Sequence, residues 1–207
     1  MKYVEFTYID RVNKTSVVDQ PAYNGPINPE VDGLTFQFSL ESQYPTNVPK
    51  FYGTCPDNAN LSSPGILKEV TQAEFENIKS EELAVRKENK VNQADQAWES
   101  KINSGIKYSN VNFSTDDTSR QLITNVAQVA LASKVNNTSF GPIQWDGKDD
   151  SGNETSLNLT ADQLIELQGL IVQDGEVQYG KLRTMVASIR AATDFSSLDA
   201  VNISFDD

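Results

Sequence analysis

The sequence predicts an α+β protein in three parts. These are a small β-rich, Pro-containing N-terminal region (residues 1–66), a long connecting helix (67–104), and a compact α+β C-terminal domain with two hairpins and two helices (105–207). Three observations carry the prediction. Residues 70–104 contain neither Pro nor Gly and are rich in helix-forming Glu, Lys, Gln and Ala. Seven of the eight prolines fall between Pro21 and Pro64, which suits strands and irregular chain and rules out long helices there. Beyond Gly105, apolar residues at helical spacing alternate with short strand–turn–strand patterns.

In the N-terminal region, Lys2 to Ile9 alternates, with Val4, Phe6 and Tyr8 on one face and Tyr3, Glu5 and Thr7 on the other. Thr15 to Val18 follows a polar tip and offers a hairpin partner. The stretch from Asn24 to Pro29 is turn-rich. Leu34 to Leu40 reads as the clearest strand, with Leu34, Phe36, Phe38 and Leu40 on one face. Asn47 to Pro56 ends in a compact loop. Cys55 lacks any companion base or cation cluster and is expected to be a small buried hydrophobe, not a reactive thiol.

The helix over Val70–Ser104 opens on Thr71-Gln-Ala-Glu74, which has capping-box form, and stops at Ser104-Gly105. It would run about 50 Å at about 1.5 Å per residue. Phe75, Ile78 and Val85 follow one stripe; Ala84, Val91, Ala94, Trp98 and Ile102 follow another. The phase slips between Leu83 and Lys90, so the pattern is not that of an isolated coiled coil. Val91 to Ile102 is the better half for self-association. The all-polar Arg86 to Lys90 is expected to be wet, and the helix is read as a connector between two parts.

Gly105 to Phe113 reads as a hairpin turning at Ser109-Asn110. Asp117 or Thr118 then caps a helix running to about Lys134, with Leu122, Ile123, Val126, Val129 and Ala130 at helical spacing. Ile143–Trp145 and Ser156–Leu159 are the arms of a second hairpin, and Asp146–Glu154 its tip. That tip is acidic enough to be compared with a calcium loop. Lys148 stands where the third-position acid belongs and Gly152 comes one place late, so a solvated turn is the better reading. Thr160-Ala-Asp-Gln163 opens a helix to about Ala192, weakened by Gly169, Gly175 and Gly180. Phe195 and Leu198 fold back onto it, and Val201, Ile203 and Phe205 form a short closing strand.

Composition narrows the function. Apolar residues make up only 38%, a thin supply for one sphere of 207 residues. The net charge of -12 disfavours nucleic acid and anionic lipid as partners. No His is present, which removes the commonest general base and metal ligand. A single Cys precludes an internal disulfide or a thiolate zinc site. No signal-like or membrane-spanning apolar run occurs, so Asn136-Asn-Thr and Asn153-Glu-Thr are chance matches to the glycosylation pattern. No catalytic, cofactor-binding or metal-ligating residues are assigned. The expectation is that the protein is not an enzyme and carries no cofactor.

Several landmarks occur in a recognisable order. They are the Gly105–Phe113 hairpin, Thr115-Asp116 with Ser119 at a helix start, Trp145 on the next strand, Leu159-Thr160 at a second helix start, and the long final helix. From Gln93 to about Val201 the chain resembles an uncharacterised domain family at the C-terminal end of tail-fibre and baseplate proteins of tailed bacteriophages. Leu34 to Pro56, with Glu41-Ser-Gln-Tyr-Pro-Thr and Phe51-Tyr-Gly-Thr-Cys-Pro, is similar to the front part of such proteins. Asp174-Gly-Glu departs from a helix that is usually more uniform. The family has no established catalytic residues, and none are carried over. The resemblance implies a structural virion protein, made in the host cytoplasm and joined to other phage tail, baseplate or fibre subunits, with a homotrimer as the implied assembly. The alternatives are a tail-fibre assembly chaperone and, less favoured, a glycan-cleaving tail enzyme, which needs two carboxylates set across a cleft.

Overall fold

The computed structural model describes residues 1–8, 29–40 and 50–205. They form an α+β fold of four helices and two four-stranded antiparallel sheets. The chain divides into two compact units, Met1–Asn89 and Lys90–Asp207. Thr15–Val18, most of the turn-rich stretch after Asn24, and Glu41 to Pro49 lie outside the described residues.

The first unit holds β1 (Lys2–Phe6), β2 (Thr35–Ser39), β3 (Phe51–Cys55) and β4 (Ile66–Val70), in the order β2-β3-β1-β4. Both edges of β1 are taken, by β3 and β4. Val4 and Phe6 are buried with Val31, Phe51, Cys55 and Ala59. The opposite face of β1, read from the sequence as polar, is covered as well. Tyr3 packs its ring 4.8 Å from Phe75, near the start of α1 (Gln72–Ile102). Cys55 is buried, and desolvation raises its thiol pKa.

Three strand expectations need correction here. Phe36 and Phe38 do not share a face, because the β2–β3 register shifts between them. The bulge swings Phe36 toward Phe51, 6.1 Å away and edge-on, while Phe38 stacks on Tyr52 at 5.0 Å. Phe51 and Tyr52 are consecutive on β3 and therefore face opposite ways. Phe36 accordingly stays 49% exposed while Phe38 is 2% exposed. Phe51–Cys55, in the stretch expected to end in a compact loop, is an inner strand. Its Gly53 lies so close to β2 that a Cβ would stand 2.6 Å from the Thr35 carbonyl oxygen. Gly53 is a close-approach residue inside the strand. Ile66–Val70 forms β4, which the sequence reading placed at the junction with the helix.

The Thr71 hydroxyl accepts from the Glu74 N–H at 3.2 Å, and the Glu74 carboxylate also takes the Lys68 ammonium. At the far end the Ser104 hydroxyl donates to the Lys101 carbonyl at 2.7 Å, and Gly105 adopts φ +103°. The polar middle of α1 is not uniformly wet. Glu82 is buried against Arg86, whose guanidinium also donates to the Ser39 carbonyl. Ala84 and Val85, which the apolar stripes predict as inward, face solvent. In the second unit Lys90 donates from Nζ to the Leu198 carbonyl at 2.7 Å.

The second unit contains β5 (Ile106–Tyr108), β6 (Val111–Phe113), α2 (Asp117–Val135), β7 (Ile143–Lys148), β8 (Glu154–Leu159), α3 (Ala161–Ala191) and α4 (Phe195–Asp199). Its sheet runs β5-β6-β7-β8. Ser109 and Asn110 both have positive φ, the signature of a two-residue type I′ turn. The second hairpin is longer than predicted, pairing Lys148 with Glu154, so its tip shrinks to residues 149–153. The cap of α2 is Asp116, one residue earlier than expected. Its carboxylate accepts from the Ser119 N–H at 2.8 Å and is braced by the Ser114 hydroxyl at 2.6 Å. These bonds, the Ser114 one foremost, hold its pKa below the ordinary carboxylate value. α3 carries the predicted Thr160–Gln163 capping box and runs unbroken past its three glycines. The closing strand over Val201–Phe205 does not form. Phe205 is buried there, and its carbonyl accepts from Lys181 Nζ at 3.3 Å in place of a strand partner.

Candidate interaction surface

The core of the second unit explains how α2 is oriented. Ile123, Ala127 and Ala130 recur at i, i+4 and i+7, and all three are fully buried. Ile123 packs into a cluster with Val111, Phe113, Leu159, Leu164 and Leu167. At the end of the helix Lys134 pairs with Asp162 on the first turn of α3.

The outward side is mixed, with exposed Gln121, Asn125 and Gln128 set among apolar side chains. Leu122, Val129, Leu131 and Val135 are 52%, 59%, 52% and 72% exposed. Ala132 is exposed between them. A surface helix normally sets a polar face opposite its buried stripe, and here four large apolar side chains share that exposed side with the polar ones. Fully burying a Leu or Val is worth about 1.5–3 kcal/mol, so covering these half-exposed side chains would return roughly 1 kcal/mol each. The sequence reading had placed Leu122 and Val129 in the helical apolar pattern without separating two faces. The spacing of Ile123, Ala127 and Ala130 separates the buried stripe from the rest of the helix.

Val91 and Ala94, which the sequence offers for self-association, are buried inside the second unit, and Trp98 packs 6.0 Å from the ring of Tyr179. α3 exposes Val172, Val177 and Tyr179. A shallow depression of about 630 Å³ runs along it beside Gly180, Thr184 and Ala187. A small cavity of about 130 Å³ lies among Trp98, Ile102, Ile171 and Gly175. Trp98 Nε1 and Gln178 Oε1 are buried without a hydrogen-bond partner.

The hairpin tip is a self-contained turn. Asp149 Oδ1 accepts from the N–H groups of Ser151 and Asn153 at 2.8 and 2.9 Å, and Oδ2 from Asn153 Nδ2 at 3.1 Å. The Asn153 N–H, first among these, lowers the Asp149 pKa. The carboxylate is committed to the turn. Among the described residues no group of three or more His, Cys, Asp or Glu side chains is arranged to hold a metal ion. No described helix is long and apolar enough to cross a membrane.

No curated protein and no solved structure matches the chain. Residues 85–204, more than half of the chain, match the domain of unknown function DUF4376, and the protein belongs to that family.

Proposed function

We propose that this chain is a structural component of a bacteriophage tail, a tail-fibre or baseplate protein that links the fibre to neighbouring tail subunits. The exposed apolar side chains of α2, inside the family domain, carry the reading. Large apolar side chains left exposed on a free subunit, here Leu122, Val129, Leu131 and Val135, are what an assembly interface presents before assembly. The resemblance of residues 93–201 and 34–56 to phage tail proteins supplies the setting. The partners are other tail, baseplate or fibre subunits and further copies of the same chain, and the resemblance implies a trimer. The work of the protein is holding surfaces together, without bond-making chemistry.

The test is mass spectrometry and antibody labelling of purified virions from a phage encoding the chain. The expected result is a fixed number of copies per tail, with fibres detached when the gene is deleted. Absence from virions overturns the reading. If fibres then also fail to assemble, the assembly-chaperone alternative takes its place.

A further inference from the structure

We infer that the middle of α3 is a built-in joint, where the helix opens locally while both its ends stay packed. The inward stripe of α3 begins with Leu164, Leu167 and Ile171 and ends with Leu182 and Ile189. Between them, at the same helical spacing, stand Asp174 and Gln178. The two apolar ends hold to different neighbours. Leu164, Leu167 and Ile171 join the cluster that contains Phe113 and Ile123. Beyond the middle, Tyr179 meets the Trp98 ring, and Lys181 donates to the Phe205 carbonyl.

The middle itself is poorly filled. The cavity of about 130 Å³ lies there, with Trp98, Asp174 and Gly175 in its wall. Gln178 is only 3% exposed. Its Nε2 donates to Asp174 Oδ1 at 3.0 Å, while its Oε1 and Trp98 Nε1 have no hydrogen-bond partner. A buried polar atom left unpaired costs stability that contact with water returns. Gly169, Gly175 and Gly180 bracket the stretch, and at none of them would an added Cβ meet anything within 4 Å. No close approach requires a glycine there, so what the three do is weaken the helix. Weak propensity, polar inward residues and unfilled space coincide in the same few turns, the marks of a segment that opens by itself. Opening there uncouples the second half of α3 from the first without disturbing either packed end.

The experiment is native-state hydrogen exchange on the full chain in a series of low urea concentrations, with rates corrected for intrinsic chemistry. Amides of residues 173–181 are expected to be at least about tenfold less protected than those of 165–170 and 183–188. Their exchange is expected to change little with urea, because a local opening exposes little surface, while the ends accelerate with the slope of global unfolding. Gly175→Ala is expected to slow exchange of the middle about fivefold, the helix-propensity difference between the two residues. Gln178→Met, which replaces the polar inward side chain with an apolar one of similar length, is expected to slow it as well. Equal protection and equal urea slopes along α3 overturn the inference. So does fast exchange of the middle that both variants leave unchanged while folded. If one variant unfolds, the other decides.

Discussion

Arg86 donates from Nε to Glu82 Oε1 across 2.8 Å, one turn back along α1, and the side chain of the acid is only 1% exposed. The same guanidinium reaches the Ser39 carbonyl at the end of β2. Breaking such a pair from one side leaves a buried charge uncompensated, which costs about 3–5 kcal/mol. Arg86→Met is expected to destabilise the first unit by that order in urea unfolding followed by circular dichroism. The double variant Glu82→Leu with Arg86→Met is expected to recover most of the loss. A single variant as stable as the wild type would remove the pair from the account of this unit.

Two glycines make opposite predictions. At Gly53 an added Cβ meets the Thr35 carbonyl oxygen at 2.6 Å and the Phe6 ring at 3.0 Å. Gly53→Ala is expected to cost about 1–3 kcal/mol through overpacking. At Gly169, inside α3, an added Cβ meets nothing within 4 Å. Gly169→Ala is expected to stabilise by up to about 1 kcal/mol, the helix-propensity difference. Thermal melts of both variants check the pair.

Thr160 begins α3 with a reciprocal cap. Its backbone N–H donates to Gln163 Oε1 at 2.9 Å, and its hydroxyl accepts from the Gln163 N–H at 3.4 Å. Thr160→Ala is expected to lose about 1 kcal/mol, and Thr160→Ser to keep most of it. Chemical denaturation curves resolve a difference of that size.

Tyr52 donates from its hydroxyl to Glu5 Oε2 at 2.6 Å, and Glu5 also pairs with Lys50 at 3.1 Å. Burial first, and then the Glu5 hydrogen bond, push the phenol pKa well above its ordinary value. The folded chain therefore keeps a proton that the unfolded chain releases near pH 10. This contribution to stability is whole below about pH 10 and falls as pH rises toward the folded value. The unfolding midpoint is expected to drop as pH rises above about 10, and Tyr52→Phe to shallow that drop. An identical alkaline profile in the variant would assign the loss to other groups.

What the sequence made legible was local. The Ser109-Asn110 turn, the Thr160 box and the long helices are set by neighbours a few residues apart, and all appear where expected. Contacts between distant residues were not legible. β3 hid behind Gly53, because a glycine forced by the approach of Thr35 looks the same in sequence as a glycine in a turn. The bulge that separates Phe36 from Phe38 leaves no period to read. Glu82 sits inside while Ala84 and Val85 face out, since Ser39 and Arg86 supply the polar partners that a helical wheel cannot see. The outer face of α2 was half-legible. Its apolar residues are plain in the sequence, but only the packing separates the buried Ile123, Ala127 and Ala130 from the exposed Leu122, Val129, Leu131 and Val135.

α1 gives Phe75 and Glu82 to one unit and Val91 and Ala94 to the other. No expression fragment that begins or stops inside Gln72–Ile102 keeps both sets of inward side chains. A fragment starting at the Gly105 hairpin loses Val91, Ala94 and Trp98 and leaves their neighbours bare. Laboratories that trim the chain to crystallise one half should carry the whole helix in either piece, or aggregation of the stump will be mistaken for native assembly.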